Sequence, residues 1–389
     1  MYWHGYAKNS DHLLQILLQN ITGTEMGEDA WQVLTNTSDG IILRGHGYTP
    51  GDSLYVGIQA RKDNNWDFWL LNGYKRYSAD FAWDKQPGAI DLRNLPKWEN
   101  RDIKRDEHGN PYYFYSSVPN PERYGLPAIV FLPNASMEYT IVANKHRIIV
   151  ITRTGYVTNA LYLGFLKPYM QDIHYPYSLA VCGTTTGITQ RGAIRSTYDI
   201  PARQDPYVGI NFSFHFYDFA SWSTYRLFTD PGGISSYNDS AAVRIMRPDG
   251  TWTTALHWAN GMESYITNPN RDPGVPPTYA FRITLEASAT SNAFVWPTKN
   301  LDTQYAVRDM DNNLTLHPFL FVEKSPHGVL GTYEGMYWVL GDGLARSSFA
   351  KVGEDTYAIF HNANRTETSG YSINANPTGK NNHFAVKLE

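Results

Sequence analysis

The stretch MEYTIVANKHRIIVITRT, residues 137–154, predicts the centre of the fold. Two runs rich in β-branched residues, 139–143 and 147–152, flank the polar pair Asn144 and Lys145, which is the pattern of a β-hairpin. Because the run 148–151 is apolar without alternation, we expect a central strand that is buried on both faces.

Further hairpin signals lie on both sides of this stretch. The strongest single strand signal is 208–216, where apolar and polar residues alternate with period two. Tight turns are expected, in chain order, at Ser38-Asp39-Gly40, at 62–65, at Pro248-Asp249-Gly250 and at Gly353-Glu354-Asp355. Short strands joined by polar turns over most of the chain predict a mainly β protein, with two or more sandwich-like or barrel-like antiparallel domains.

One clear helix is predicted near the start, in NSDHLLQILLQNIT, residues 9–22. Ser10 or Asn9 can cap its N-terminus, and Asp11 sits favourably in its first turn. Apolar residues at spacings of three and four form one stripe: Leu13, Leu14, Leu17, Leu18 and Ile21. We expect this stripe to pack on its own domain, with a neighbouring subunit as the alternative.

At 389 residues the chain is too long for one ordinary domain. We expect a short helical arm followed by two β-domains and a C-terminal β segment that can pack with the first domain. A stretch rich in Pro, Asn and charges at 84–125 is predicted to be a long surface excursion of the first domain. The expected bounds are 1–25 for the arm, 26–183 and 184–320 for the domains, and 321–389 for the last segment.

The composition excludes several classes of protein. A net charge of -4 and a pI near 6.3 argue against a nucleic-acid binder that works by neutralising phosphates. No apolar run approaches the about 20 residues that cross a bilayer, and the N-terminus lacks a secretory pattern, so we expect a chain made in a cytosol without a membrane partner. With 1 Cys there is neither an intramolecular disulfide nor a Cys-rich zinc site.

The aromatic content points to surfaces that other molecules cover. The chain holds 28 Tyr, 11 Trp and 17 Phe, whereas charged residues make up only 18%. Tyr and Trp combine a large apolar area with a polar atom, so they favour half-buried surfaces and interfaces. A large β protein is the other explanation, because sheets also favour aromatic residues.

No group of residues in the sequence indicates catalysis, and we predict that the protein is not an enzyme, with no catalytic residues, cofactor or metal site. Asp218 and Glu334 could supply the two carboxylates that a glycosidase needs, but their positions in the sequence do not indicate a pair. We expect His215 to be a buried or inter-subunit histidine whose hydrogen bonds are made, and not a ligand. The alternate residues Asp309, Asp311 and Asn313 match the start of a calcium loop but lack its glycine and closing glutamate. Cys182 is expected to be a small buried residue.

The stretch GYVTNALYLGFLKPYMQDIHYPYSLAVCG, residues 155–183, combines aromatic residues with glycines and prolines. Its glycines permit close backbone approach, and its prolines stiffen the path of the chain. Each aromatic ring can be buried against a neighbour, and tyrosines can still hydrogen-bond. We therefore predict a contact surface between subunits, and a packed loop within one domain is the alternative. The predicted interface residues are Tyr162, Phe165, Tyr169, Tyr175 and Tyr177.

Residues 137–183 also resemble a segment of virion structural proteins of tailed bacteriophages. The matching motifs are a hairpin with Ala143, Asn144 and Arg147, a Tyr-Leu-Gly-Phe run at 162–165, and the Tyr-Pro-Tyr run at 175–177. Two stretches, 51–89 and 333–373, are similar to the same family and follow in the expected order.

This resemblance implies a structural component of the virion, in the tail or baseplate. It implies partners of two kinds, other copies of the chain and other virion structural proteins, and it carries no catalytic motif. The alternative is a carbohydrate-binding or depolymerase-type receptor-binding tail protein, in which aromatic residues stack on sugar rings. The residues considered for that stacking are Trp66, Trp69, Trp83 and Trp338.

Overall fold

A computed structural model describes most of the N-terminal half and separate strands of the rest. The described residues are 1–62, 66–90, 103–105, 111–113, 128–133, 135–154, 157–168, 177–183, 243–247, 250–252, 256–258, 293–296, 314–323, 329–339, 348–361 and 383–388. They confirm a mainly β protein, built from three large sheets and a short N-terminal helix.

The first sheet, here called the outer sheet, has five strands. In spatial order these are β2 (Gln32–Thr37), β3 (Gly40–His46), β4 (Ser53–Lys62), β5 (Trp66–Tyr74) and β8 (Ala128–Pro133). All neighbours are antiparallel, and the turn predicted at 38–40 joins β2 to β3. Most of the turn predicted at 62–65 lies outside the described residues.

The second sheet, here called the middle sheet, has six antiparallel strands. In spatial order these are β1 (Tyr2–Ala7), β9 (Met137–Asn144), β10 (Arg147–Thr154), β11 (Val157–Phe165), β12 (Leu179–Cys182) and β13 (Val243–Met246). The predicted hairpin at 137–154 is therefore confirmed, with Arg147 opposite Asn144.

The third sheet, here called the C-terminal sheet, has seven strands. In spatial order these are β14 (Leu256–Trp258), β15 (Ala293–Trp296), β16 (His317–Glu323), β17 (Val329–Val339), β20 (His383–Leu388), β19 (Asp355–His361) and β18 (Ser348–Val352). Its pairs are antiparallel except β14 with β15. The predicted hairpin around Gly353 joins β18 to β19.

The middle sheet is covered on both faces, as its central strand predicts. Ile148 and Val150 point into one apolar core, shared with the outer sheet, while Ile149 and Ile151 point into another, shared with the C-terminal sheet. Successive side chains of a strand point to opposite faces, so four consecutive apolar residues serve two cores. The three sheets are thus stacked layers with the middle sheet between the others.

Helix α1 (Ser10–Ile21) closes the first core, which confirms the prediction that it packs on its own chain. The Asn9 side chain accepts a hydrogen bond from the His12 amide and so caps the helix. Leu13, Leu17 and Ile21 are buried. A 3-10 segment, Thr24–Asp29, follows before β2.

The predicted domain ranges do not coincide with the three sheets. Residues 2–7 form strand β1, inside the range 1–25 predicted as a helical arm. Strands from 184–320 belong to two sheets, because β13 extends the middle sheet and β14–β16 extend the C-terminal sheet. Within the predicted excursion at 84–125 lies a small sheet of β6 (Ile103–Arg105) and β7 (Pro111–Tyr113). The strand predicted at 208–216 lies outside the described residues.

Candidate functional site

Loops from the outer and middle sheets meet in an aromatic cluster formed by Tyr48, His146, Phe165 and Tyr177. Tyr48, from the β3–β4 loop, stacks on His146, with ring centroids 4.1 Å apart. It also contacts Tyr177, at 4.6 Å between centroids, and Phe165, at 6.4 Å. Each ring comes from a different turn or strand end, so the cluster ties together segments that are distant in sequence.

A carboxylate from the C-terminal sheet enters this cluster. Glu334 on β17 accepts a hydrogen bond from the Tyr48 hydroxyl, at 2.9 Å, and one from the Asn144 side-chain amide, at 3.3 Å. The Arg147 Nε lies 3.8 Å from the same carboxylate. Glu334 belongs to the C-terminal sheet, Arg147 to the middle sheet and Tyr48 to a loop of the outer sheet. The contacts of Glu334 therefore link all three sheets at one point.

Glycines make room for the Arg147 side chain, which is fully buried. A Cβ placed on Gly335 would lie 2.5 Å from an Arg147 Nη atom, and Gly335 also has a positive φ of 72°. On the other side, a Cβ on Gly164 would lie 2.5 Å from the Arg147 Cα. A buried guanidinium needs partners, so the site is built around its charge.

Burial shifts the protonation of this site toward neutral forms. The pKa of Tyr48 is raised well above its ordinary value, first by burial and then by the nearby Tyr162 and Glu334. The pKa of Tyr162 is raised mainly by burial, and that of His146 is lowered, again mainly by burial. Both tyrosines therefore stay protonated as hydrogen-bond donors, and the imidazole favours its uncharged form.

The predicted interface residues divide into three groups. Tyr162 is fully buried within its own chain, donates to the Phe165 carbonyl at 2.7 Å, and packs on Tyr333 with centroids 4.5 Å apart. Phe165 is buried and Tyr177 half-buried in the aromatic cluster. Tyr169 and Tyr175 lie outside the described residues. That these residues contact another subunit stays a prediction. The Tyr162 side chain is buried within its own chain, where it stabilises the fold.

The residues considered for chemistry are not brought together in the described part of the chain. Glu334 lies in the site above, whereas Asp218, His215 and the segment 309–313 lie outside the described residues. Cys182 is buried in the second core, as predicted. Across the ranges given above, no three His, Cys, Asp or Glu side chains form a metal-binding group. The same ranges hold no helix with the length and apolar character needed to cross a bilayer.

Two of the four tryptophans considered for sugar stacking are unsuited to it. Trp69 and Trp83 are buried, so neither ring is open to a ligand. This corrects the stacking hypothesis for these two residues, because the sequence alone does not show which aromatic side chains the rest of the fold covers. The side chains of Trp66 and Trp338 lie outside the described part of the structure.

Sequence reasoning did not identify the edge strand β1 as a functional feature. Met1 and Ala143 exchange both backbone hydrogen bonds, each at 3.0 Å. Because such pairs alternate along an antiparallel ladder, residues 2, 4 and 6 direct their backbone N–H and C=O groups away from β9. No described strand pairs with this outer side of β1. The signal in the sequence was the alternation of Tyr2, His4 and Tyr6.

Compared with known proteins, the chain matches no protein-family model and no curated protein, so its resemblance to virion structural proteins stays a prediction.

Proposed function

We propose that this protein is a structural component of a tailed-bacteriophage virion, in the tail or baseplate, and that it works by binding copies of itself and other virion proteins. The proposal rests on one structural observation, the outer edge of β1, with which none of the described strands pairs. The sequence resemblance at 137–183 supplies the virion context.

The sequence of β1 lacks the residues that normally prevent strands from pairing between molecules. Its sequence, YWHGYA, contains no Lys, Pro or acidic residue, whereas edge strands are usually protected by such residues. Tyr6 is 71% exposed and Tyr2 is 42% exposed. An unprotected edge with exposed aromatic rings favours addition of another strand.

Two copies can pair through this edge with two-fold symmetry. Only residues 2, 4 and 6 direct hydrogen-bonding groups outward, so an antiparallel pair that uses all three sets Tyr2 opposite Tyr6 of the other copy. His4 then lies opposite His4 at the symmetry axis. The same patch on both copies is used, which is the usual arrangement of a homodimer.

The self-association test uses two substitutions at one exposed position. Tyr6→Pro removes an outward N–H and the ring, whereas Tyr6→Thr removes the ring and keeps the N–H. We expect light scattering after size exclusion to show oligomers for the wild type, reduced association for Tyr6→Thr, and monomers for Tyr6→Pro. If the Tyr6→Pro protein associates as the wild type does, β1 is not the contact.

The virion role is tested on particles. We expect mass spectrometry of purified virions to detect the chain in many copies, and electron microscopy to place it in the tail or baseplate with β1 covered by a neighbour. Particles that lack the chain would contradict the proposal.

A further inference from the structure

A cleft lies between the middle and C-terminal sheets, beside the β1 edge, and Tyr2 and His4 of β1 are among its lining residues. Its floor is the face of the middle sheet that carries His4, Glu138 and Arg153, and its wall is formed by β18 and β19. Tyr2 of β1 and Phe349 of β18 also line the cleft. Phe360, which stacks on Phe384 with centroids 5.3 Å apart, adds an apolar ring to the lining.

We infer that this cleft binds a saccharide without net charge. Phe349 is 66% exposed and Tyr2 is 42% exposed, so two lining residues present aromatic surface beside the polar floor. Sugar rings have an apolar C–H face and a rim of hydroxyls, so they match a site that combines aromatic walls with a few fixed polar groups.

The polar floor is a connected network. The Arg153 Nε donates to a Glu138 oxygen at 2.7 Å, and an Nη of Arg153 contacts the same oxygen. The other Glu138 oxygen lies 3.5 Å from the His4 Nε2, and the His4 Nδ1 lies 3.2 Å from the Thr140 hydroxyl. These contacts hold the side chains in place before a ligand arrives.

The charge balance of the floor selects against ions. Glu138 and Arg153 compensate each other, so a neutral ligand keeps the pair intact, whereas an anion or a cation competes with it. Side chains, rather than free backbone groups, form the floor, so the site suits hydroxyl groups better than an extended peptide. The inference goes beyond the assembly role, because the β1 edge pairs in the plane of the sheet and the cleft lies on its face.

The test is a glycan array that carries neutral oligosaccharides of hexoses and N-acetylhexosamines together with sialylated and sulfated ones. We expect neutral oligosaccharides to be retained in preference to charged ones. Calorimetry with the best neutral oligosaccharide should show that Phe349→Ala weakens binding by about five- to ten-fold. Glu138→Gln should weaken it by about ten-fold or more, because it removes a charged acceptor and the carboxylate that pairs with Arg153.

Phe81→Ala is the matched control, because Phe81 is 50% exposed and is not among the residues that line the cleft. It should bind as the wild type does, and thermal unfolding of each variant verifies the fold. The inference is overturned if no neutral oligosaccharide binds, if charged glycans or an extended peptide bind better, or if Phe349→Ala and Phe81→Ala behave alike. Tyr6→Pro should retain saccharide binding, which separates this result from that of the assembly test.

Discussion

At the scale of single residues, Gly164 makes the contact between β10 and β11 possible. It lies opposite Arg147, and a Cβ in its place would meet the Arg147 Cα and the His146 carbonyl oxygen, each at 2.5 Å. Both are backbone atoms, so they cannot move aside as a flexible side chain can. The sequence indicated close backbone approach at this glycine, and the structure confirms it.

Gly164→Ala is therefore expected to destabilise the protein by about 3 kcal/mol. Gly353→Ala is the comparison, because Gly353 has a φ of 62° but nothing within 4 Å of an added Cβ. Only backbone strain acts there, at about 1 kcal/mol. Urea unfolding measures both values, and equal losses for the two variants would contradict the steric explanation.

His146 makes the stability depend on pH. Its pKa is lowered in the folded protein, mainly by burial, so the unfolded chain takes up a proton at higher pH than the folded chain. Stability from this group is then present above the unfolded pKa of about 6.5 and is lost as the pH falls below it.

We expect His146→Gln to lose less stability than the wild type between about pH 7.5 and about pH 5. Glutamine can still donate to the His46 carbonyl that the imidazole contacts, but it does not titrate in this range. Urea unfolding at both pH values gives the comparison. The same decrease in both proteins would show that other groups carry the pH dependence.

At the scale of elements, strand pairs that are close in sequence were predictable and long-range contacts were not. The β9–β10 hairpin follows from two β-branched runs around a polar turn, which is local information. Strand β1 pairs instead with β9, so Tyr2 lies opposite Val142, and no short-range pattern encodes that partner. Glu334 likewise reaches Tyr48 across 286 positions, so the sequence identified the residue but not its site.

The Arg147–Glu334 pair joins β10 to β17, and this link can be tested by a double-mutant cycle. Glu334→Gln should cost about 3 kcal/mol, because it removes a carboxylate that lies beside the buried Arg147 charge. Combining Arg147→Met with Glu334→Gln should recover part of that loss, because the buried charge that the carboxylate stabilises is then gone. Additive losses in the double variant would show that the two side chains are not coupled.

At the scale of the whole molecule, the middle sheet makes two cores depend on each other. Strands β9 to β13 each contribute residues to both cores, for example Ile148 of β10 to the first and Ile149 to the second. Unfolding either core removes support from the shared sheet. The three layers are therefore expected to unfold together in one transition.

Ile148→Ala and Ile149→Ala test this dependence from adjacent positions. Each should cost about 3 kcal/mol, because each leaves a cavity in a buried core. Both should shift the same transition, recorded by calorimetry and by tryptophan fluorescence. Two transitions, each sensitive to only one substitution, would show that the cores unfold independently.

The position of β10 between two other layers also limits how its sequence can diverge. A substitution on one face must suit the outer sheet, and its neighbour along the strand must suit the C-terminal sheet, so few changes satisfy both. This strand and its hairpin partner should therefore accumulate substitutions more slowly than the surface loops. We therefore expect a sequence profile built from residues 137–165 to detect distant homologues of this chain with the greatest sensitivity.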